Sequence, residues 1–323
     1  MNPVKTLVLS AENPISFHVF FECDKLSNYE HVIVKNTVLV DERLNQLSVI
    51  PSWHLENVQI HVKSDPSPLL RQLKNVKLVN CSFSGYHIER GQSFGHCREL
   101  SLINTKGSFI LSESLAQTES LWIENMTFSE KEHRIEAISG PRRLLELTNC
   151  TASNLHGLAP NTLVIRVTSK PQTYKLGPLA GVRHLVLITT KCITQKKLRI
   201  EDLGDQVDLQ FLTIIGDVEF GLQYTDPSES IKKLNRLVHL ELMNLYLPRL
   251  CIHSLLFLEH VSLFNTQIHT INNLPSLVRL KLCHCSRVGV LGITSSDLKK
   301  LVCFDMDSES SVSENRIKVE KKA

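Results

Sequence analysis

Apolar residues recur along this chain in a short fixed pattern. Clear copies begin at Leu73, Leu237 and Leu258, and each copy carries apolar residues at its first, fourth and sixth positions. The last two of these are two residues apart, so their side chains point to the same face of a β-strand. The pattern therefore predicts a short strand with one buried face at every copy.

The spacing of the copies predicts how these strands assemble. Copies follow one another at intervals of about 23 residues, and a repeat of that length indicates a solenoid. One strand cannot bury its apolar face alone, but stacking strands about 4.8 Å apart buries that face and completes a parallel hydrogen-bond ladder. We place the central strand residue of each copy at Leu7, Val32, Val58, Val76, Leu100, Leu121, Leu145, Leu163, Leu185, Leu212, Leu240, Val261, Leu280 and Leu301.

A cysteine stands just after several strands, in Leu78-Val79-Asn80-Cys81, Leu147-Thr148-Asn149-Cys150 and Leu282-Cys283-His284-Cys285. Over about residues 4–306 the chain resembles the leucine-rich-repeat family, and these cysteines are similar to the cysteine-containing subtype found in F-box-associated repeats. The resemblance implies an α/β solenoid of about 14 repeats, with a curved parallel β-sheet on the concave face and irregular or short helical segments on the convex side. No F-box-like helical module is visible before the first copy.

Composition limits the classes of protein that the chain can be. Its 323 residues are 42% hydrophobic and 21% charged, which suits a chain with a core. The net charge of +3 is too small to indicate nucleic acid or a membrane surface as partner. No signal peptide or membrane-spanning stretch is read from the sequence. We expect a solenoid over residues 1–306 and a disordered polar tail over residues 307–323.

The cysteines indicate the compartment. Their number, nine, is odd, and several fall at positions that the repeat buries. Free buried thiols favour a reducing compartment, so the expected location is cytoplasmic or nuclear. Three glycosylation sequons, at Asn80, Asn125 and Asn149, point the other way, but all three lie where a strand ends, and we interpret them as structural.

Motifs of enzyme chemistry are missing from the sequence: we find no nucleophile elbow, zinc-protease motif, Walker loop or dinucleotide fingerprint. His239 and His260 occupy matching positions in consecutive copies, so they could ligate zinc together with Glu241 or Cys283. We interpret them instead as solvated strand histidines. The chain is therefore predicted to be no enzyme and to hold no metal and no cofactor.

The residues that alternate with the buried ones should face the concave side. Among them Trp122 is a candidate binding hot spot. An uncharged column in the second half would form an exposed apolar strip, beside a column that ends in a basic edge. The candidate partner-binding residues are Trp122, Ile188, Phe211, Ile215, Met243, Phe264, Phe304, His239, His260, Arg279 and Lys300.

These observations predict a non-enzymatic interaction scaffold that holds a protein or peptide on its concave face. The acidic residues Glu99, Glu124 and Glu146 precede the apolar and basic part, which favours an oriented partner. We expect a monomer or a subunit of a hetero-complex. One alternative is the substrate-recognition subunit of an SCF-type ubiquitin ligase. The other is a fragment of a secreted or cell-surface leucine-rich-repeat receptor.

Overall fold

The computed structural model describes residues 5–12, 26–63, 72–85, 97–105, 118–126, 142–150, 160–168, 172–176, 181–189, 198–201, 203, 208–216, 218–220, 231, 233–251, 255–271, 275–285, 289–290, 300–304 and 319–321. For residues 85, 172, 175, 198–199, 201, 218–220, 246–251, 267–271, 289–290, 300–304 and 319–321 the backbone alone is described. The chain forms two compact units, Met1–Ala152 with Gly157–Pro160, and Ser153–His156 with Asn161–Ala323.

The first unit is built on one parallel ladder. Its strands are β1 (Thr6–Ser10), β2 (His31–Val40), β3 (Ser52–Val62), β4 (Asn75–Val79), β5 (Ser82–Gly85), β6 (Glu99–Ile103), β7 (Ser120–Glu124) and β8 (Leu144–Thr148). The ladder runs β1-β2-β3-β4-β6-β7-β8, and β5 pairs with the far end of β3. Helix is scarce in the described part of the chain, where α1 (Asp41–Leu47) is the longest helix.

The second unit repeats this architecture. Its strands are β9 (Thr162–Val167), β10 (Gln172–Lys175), β11 (His184–Thr189), β12 (Leu198–Glu201), β13 (Phe211–Ile215), β14 (Val218–Phe220), β15 (His239–Met243), β16 (Tyr246–Cys251), β17 (His260–Phe264), β18 (Gln267–Ile271), β19 (Arg279–Cys283), β20 (Gly289–Val290), β21 (Lys300–Phe304) and β22 (Val319–Lys321). The main ladder runs β9-β11-β13-β15-β17-β19-β21-β22. Two smaller parallel ladders, β10-β12-β14 and β16-β18-β20, follow the main strands along the chain.

Each main strand whose side chains are described buries its second and fourth residues. In β15 these are Leu240 and Leu242, which align with Leu212 and Ile214 of β13 and with Val261 and Leu263 of β17. All six side chains are buried. The core is therefore a pair of apolar columns that run through the stacked strands, as the spacing of the pattern predicts. The fold is a leucine-rich-repeat solenoid of parallel strands with little helix, and this prediction is confirmed.

The predicted alignment was wrong in one repeat. Trp53, rather than Val58, aligns with Val32 of β2 and Val76 of β4. Val58 is buried as well, but it lies after Asn57 in the second half of β3, where it pairs with Thr37 of β2. The reason is that β3 bends at Asn57, whose φ of 54° lies in the left-handed region and shifts the alternation of buried and exposed residues. As a result, His54 is the outward residue that follows the central strand residue of this repeat, whereas the predicted alignment would give Gln59 that position.

Most of the bends in the ladder fall at an asparagine. The backbone has φ near 50° within β2 and β3 at Asn36 and Asn57, and just after a strand at Asn80, Asn104, Asn125, Asn149, Asn244, Asn265 and His284. Asparagine tolerates this conformation better than other side chains with a Cβ. Its amide also bonds to the next asparagine in the column: Asn80 Nδ2 donates to Asn57 Oδ1 at 3.0 Å, and Asn104 Nδ2 donates to Asn80 Oδ1 at 2.9 Å.

Gly216 occupies the same bend with φ of 89°. A Cβ there would collide with the carbonyl oxygen and the hydroxyl of Thr189, so only glycine fits.

A short side chain just beyond several of the bends donates to backbone carbonyls in the core. Thr266 Oγ1 donates to the carbonyl oxygens of Leu242 and Phe264 at 3.1 and 2.9 Å. Cys150 Sγ makes the same two contacts with Ile123 and Thr148, both at 3.3 Å. A buried carbonyl without a donor is costly, so this position favours threonine or cysteine. The cysteines that suggested a subtype thus have a structural role in this chain.

The predicted domain boundaries remain predictions. Residues 305–318 lie outside the described residues, and this range holds most of the expected tail. Val319–Lys321 form β22, in which Val319 pairs with Leu301 of β21. The expected disorder of residues 307–323 stays a prediction.

Candidate functional site

In the main strands whose side chains are described, the first, third and fifth residues alternate with the buried ones and form what we call the open face. In β15 these residues are His239, Glu241 and Met243, and all three are half-buried. Because the strands pair in register, equivalent residues stack into columns along the ladder. Each unit has its own open face, and the candidate residues lie on these two faces.

Four aromatic rings stack on the open face of the second unit. They occupy the first position of β11, β13, β15 and β17. The ring centroids of His184 and Phe211 are 4.1 Å apart, those of Phe211 and His239 4.4 Å, and those of His239 and His260 4.2 Å. The ring planes incline by only 16° to 18°. We call this column the ring stack. It contains three of the predicted residues and adds His184.

Burial favours the neutral form of two imidazoles of the stack, those of His184 and His239. Burial lowers the pKa of His239, and His260 lowers it further, while Glu259 acts in the opposite direction. Burial also lowers the pKa of His184, with a smaller contribution from Arg183. Within the described residues, the buried Nδ1 of His239 has no hydrogen-bond partner. Stacked neutral rings suit this setting, since protonation would place like charges beside one another in a partly desolvated column.

The predicted apolar strip lies on the same open face as the ring stack, but the two columns are not adjacent as expected, because the column of third strand positions lies between them. The described side chains of the strip, Ile188, Ile215, Met243 and Phe264, occupy the fifth strand position in register and are half-buried. Cys283 continues the column but is only 7% exposed. Phe264 also meets the ring of His284 edge to face, with centroids 5.3 Å apart. The strip, the stack and the third-position column between them, which is Val186, Thr213, Glu241 and Ser262, cover four strands, and we call this surface the patch.

The predicted basic edge is described in part. Arg279 begins β19, pairs in register with His260, and is exposed. Lys300 and Phe304 begin and end β21, and their backbones pair with Arg279 and Cys283. Their side chains lie outside the described residues. The backbone register thus places all three residues in the columns from which they were predicted.

Trp122 lies on the open face of the first unit, in a groove of about 550 Å³. It is the third residue of β7 and is half-buried, with Ser101 of β6 and Glu146 of β8 as its neighbours in register. The groove is lined by side chains of six strands: His31, Ser52, Trp53, His54, Asn75, Val76, Lys77, Glu99, Ser101, Ile103, Trp122, Ile123, Glu124, Glu146 and Thr148. The sequence analysis identified Trp122, Glu99, Glu124 and Glu146, but it did not place His31, His54 and Lys77 beside them.

Two exposed apolar residues were also missed. Leu256 and Phe257 are 56% and 61% exposed in the turn before β17. They belong to the run Leu255-Leu256-Phe257-Leu258, of which only the first and last residues are buried. A run of four apolar residues at a turn is a signal of exposed apolar surface that the sequence offered.

The structure gives two further facts about chemistry. Within the described ranges, no group of three or more His, Cys, Asp or Glu side chains is arranged to hold a metal ion. Within the same ranges, no helix combines the length and the apolar character needed to span a bilayer.

Comparison with known proteins gives structural neighbours of low similarity. No protein-family model and no curated protein matches the chain. An internalin from Listeria monocytogenes is similar over 87% of this chain and 88% of its own, with 16% identity and a TM-score of 0.42. A leucine-rich-repeat protein from Leptospira interrogans is similar over 95% and 85%, with 17% identity and a TM-score of 0.48. Similarity at this level carries no argument about a partner, and the fold rests on the strand register.

Proposed function

We propose that this chain is a non-enzymatic interaction protein that binds a protein or peptide through the open face of its ladders. The observation that carries the proposal is the patch, whose outer columns are the ring stack and the apolar strip. Aromatic, methionine and other apolar side chains are what the centres of protein interfaces are made of. The patch holds three imidazoles and a single carboxylate, that of Glu241, whose Oε2 accepts a bond from Thr213 Oγ1 at 3.3 Å. The small number of charged groups limits the cost of covering the patch.

The dimensions of the patch suit a polypeptide. Four strands at about 4.8 Å give a length of roughly 15 Å, which an extended peptide covers with about five residues. The rows of half-buried side chains are held by backbone hydrogen bonds in every strand. A partner would therefore meet a preorganised surface and would lose little free energy to ordering it.

The proposal is tested by affinity purification from the native host with a matched pair of variants. Phe264→Ala removes a ring from the patch, whereas Phe257→Ala removes a more exposed ring from a turn outside the open face. We expect a partner that is retained by wild type and Phe257→Ala but lost from Phe264→Ala at equal thermal stability. Loss from Phe257→Ala alone would move the site to the turn before β17. A partner retained by both variants would contradict the proposal.

A finer version of this function is substrate recognition for an SCF-type ubiquitin ligase. It is favoured by the buried cysteines Cys81, Cys150 and Cys285 at the turn positions, which resemble the F-box-associated subtype. The same free thiols favour a cytoplasmic or nuclear location over a secreted receptor fragment. Probing the purified complex for a ligase adaptor tests this version. An adaptor-free complex that still contains the open-face partner would reject the ligase role and leave the scaffold role intact.

A further inference from the structure

The groove of the first unit has an uneven distribution of charge. Its charged lining consists of Lys77 on β4 and of Glu99, Glu124 and Glu146 on β6, β7 and β8. With the histidines neutral, one lysine and three glutamates leave a net charge of −2. Lys77 lies two strands from Trp122, which is about 10 Å at the usual strand spacing. The end of the groove around Trp122 is therefore the anionic end.

Strand register places these carboxylates around the Trp122 indole. Glu146 on β8 is the direct neighbour of Trp122, and Glu124 lies two residues after Trp122 on β7. Glu99 lies on β6, diagonally across from Trp122. At strand spacings, all three lie within about 8 Å of Trp122 at the backbone. Glu124 Oε1 accepts a bond from Asn125 Nδ2 at 3.5 Å, a long contact that leaves the carboxylate able to accept others.

We propose that this groove holds the arginine or lysine side chain of a basic peptide segment against the Trp122 indole. The inference rests on the proposed function, because it names the chemistry of one contact with the peptide or protein partner. An aromatic face attracts a cation through its quadrupole, and surrounding carboxylates add direct charge pairing. The three carboxylates of this groove also distinguish its chemistry from that of the patch of the second unit, in which Glu241 is the single carboxylate.

Other occupants fit less well. A purely apolar side chain would desolvate three carboxylates, which costs free energy. An acidic segment would face the net negative charge of the anionic end. A cation seated nearer to β4 would approach Lys77. Charge complementarity therefore selects a cationic side chain and places it at Trp122.

The chain contains two tryptophans, which gives a direct measurement. Trp53 is 2% exposed, and its Nε1 donates to the carbonyl oxygens of Ile50 and Leu47 at 2.9 and 3.2 Å. In a ¹⁵N–¹H correlation spectrum the full chain gives two indole signals, and a Trp122→Phe variant assigns them. The probe is the blocked peptide acetyl-Gly-Ala-Arg-Ala-Gly-amide. Its control replaces arginine with citrulline, which has nearly the same shape but no charge.

We expect the arginine peptide to shift the Trp122 indole signal progressively and to leave the Trp53 signal in place. The citrulline peptide should bind about tenfold more weakly, which is the order expected of a cation held by an aromatic face and partly solvated carboxylates. A Glu124→Gln/Glu146→Gln variant should lose the preference for arginine, whereas Glu42→Gln, on the exposed side of α1, should keep it. Equal shifts with both peptides, or no shift of Trp122 with either, would overturn the proposal.

The same variants separate this inference from the proposed function. A partner that is lost from Phe264→Ala but retained by Glu124→Gln/Glu146→Gln and by Trp122→Ala would leave the scaffold role standing and reject the cation seat. Partner binding that is unchanged in Phe264→Ala would reject the role of the patch. The peptide titration would still measure whether the groove binds a cationic side chain.

Discussion

Phe211 and His239 stack nearly face to face, with ring centroids 4.4 Å apart and planes inclined by 18°. They occupy the same position on the neighbouring strands β13 and β15. A parallel ladder in register places equivalent residues about 4.8 Å apart, which is close to the distance at which flat rings stack. Flat side chains in one column of such a ladder can therefore stack with little adjustment of the backbone.

Truncation of Phe211 should destabilise the second unit. Phe211→Ala removes two ring contacts, each worth about 0.5–1.5 kcal/mol, so we expect a loss of about 1–3 kcal/mol in the free energy of unfolding. Phe211→Leu retains apolar area and should lose about half as much. Urea unfolding of both variants measures the difference. Phe257→Ala, at an exposed turn, should stay within about 0.5 kcal/mol of wild type. A Phe211→Ala variant as stable as wild type would show that the stack contributes nothing.

Acidification should weaken the second unit through the same column. The pKa values of His184 and His239 are lowered by burial, so the folded chain binds protons at these sites less readily than the unfolded chain. Where the unfolded state binds more protons, stability rises with pH. Stability should therefore decrease as the pH falls below about 6.5, the ordinary histidine value, and level off below the lowered pKa values.

The measurement is the urea midpoint as a function of pH for wild type and for His239→Phe. The variant keeps a flat ring in the stack but cannot take up a proton, so its stability should decrease less on acidification. Identical pH profiles for wild type and His239→Phe would contradict the assignment of the effect to the stack.

Most of the ladder could be predicted because two apolar residues at a spacing of two, repeated at near-constant intervals, leave few alternatives. Leu240 and Leu242 illustrate this, since a shift by one residue would expose both. The third repeat failed because both Trp53 and Val58 are buried and apolar. The asparagine at the bend was the overlooked signal. It follows the central residue by four positions in most repeats, and Asn57 marks Trp53 as the central residue.

The candidate sites were harder to predict than the ladder. Trp122 and the strip were identified because one column suffices to recognise them. The groove combines side chains from different columns, such as His54 and Glu124, and so depends on the correct register of β3. His184 was missed because imidazole beside phenylalanine carries no signal in sequence until the strands are aligned. Side-chain stacking is a property of the assembled ladder.

The buried cysteines should react slowly with alkylating reagents in the native chain. Burial raises the pKa of Cys97 to about 12 and that of Cys150 to about 11. The thiolate is the reactive form, so little of it is present near pH 8. Mass spectrometry after alkylation should find both residues unmodified in the native protein and modified in concentrated guanidinium chloride. Rapid native modification of both would show that these turns open readily. A disulfide at either residue would contradict the free thiols and favour the secreted alternative.

Raised thiol pKa values also give a prediction at high pH. The unfolded chain ionises its thiols above about pH 9, whereas Cys97 and Cys150 stay protonated in the folded chain until about pH 12 and 11. The folded state then binds more protons, so its stability should decrease as the pH rises from about 9. A Cys150→Ser variant should weaken this dependence, because serine does not ionise in that range. Urea midpoints above and below about pH 9 test it, and equal slopes for variant and wild type would contradict it.

Two buried threonines of the first unit should respond oppositely to the same substitution. Thr118 is fully buried at a position where other repeats have leucine, and within the described residues its Oγ1 has no hydrogen-bond partner. Thr105 is 6% exposed, and its Oγ1 donates to the carbonyl oxygens of Ile103 and Leu78 at 3.2 and 3.4 Å.

Valine has nearly the same shape as threonine without the hydroxyl. Thr118→Val should therefore raise the free energy of unfolding by about 1 kcal/mol, whereas Thr105→Val should lower it by about 1–2 kcal/mol and leave two carbonyls without their donor. Urea unfolding of the pair decides the question with each variant as the other's control. A loss of stability in Thr118→Val would mean that its hydroxyl is satisfied in solution. In that case the first position of this repeat, which is leucine in several others, is adapted to a polar contact.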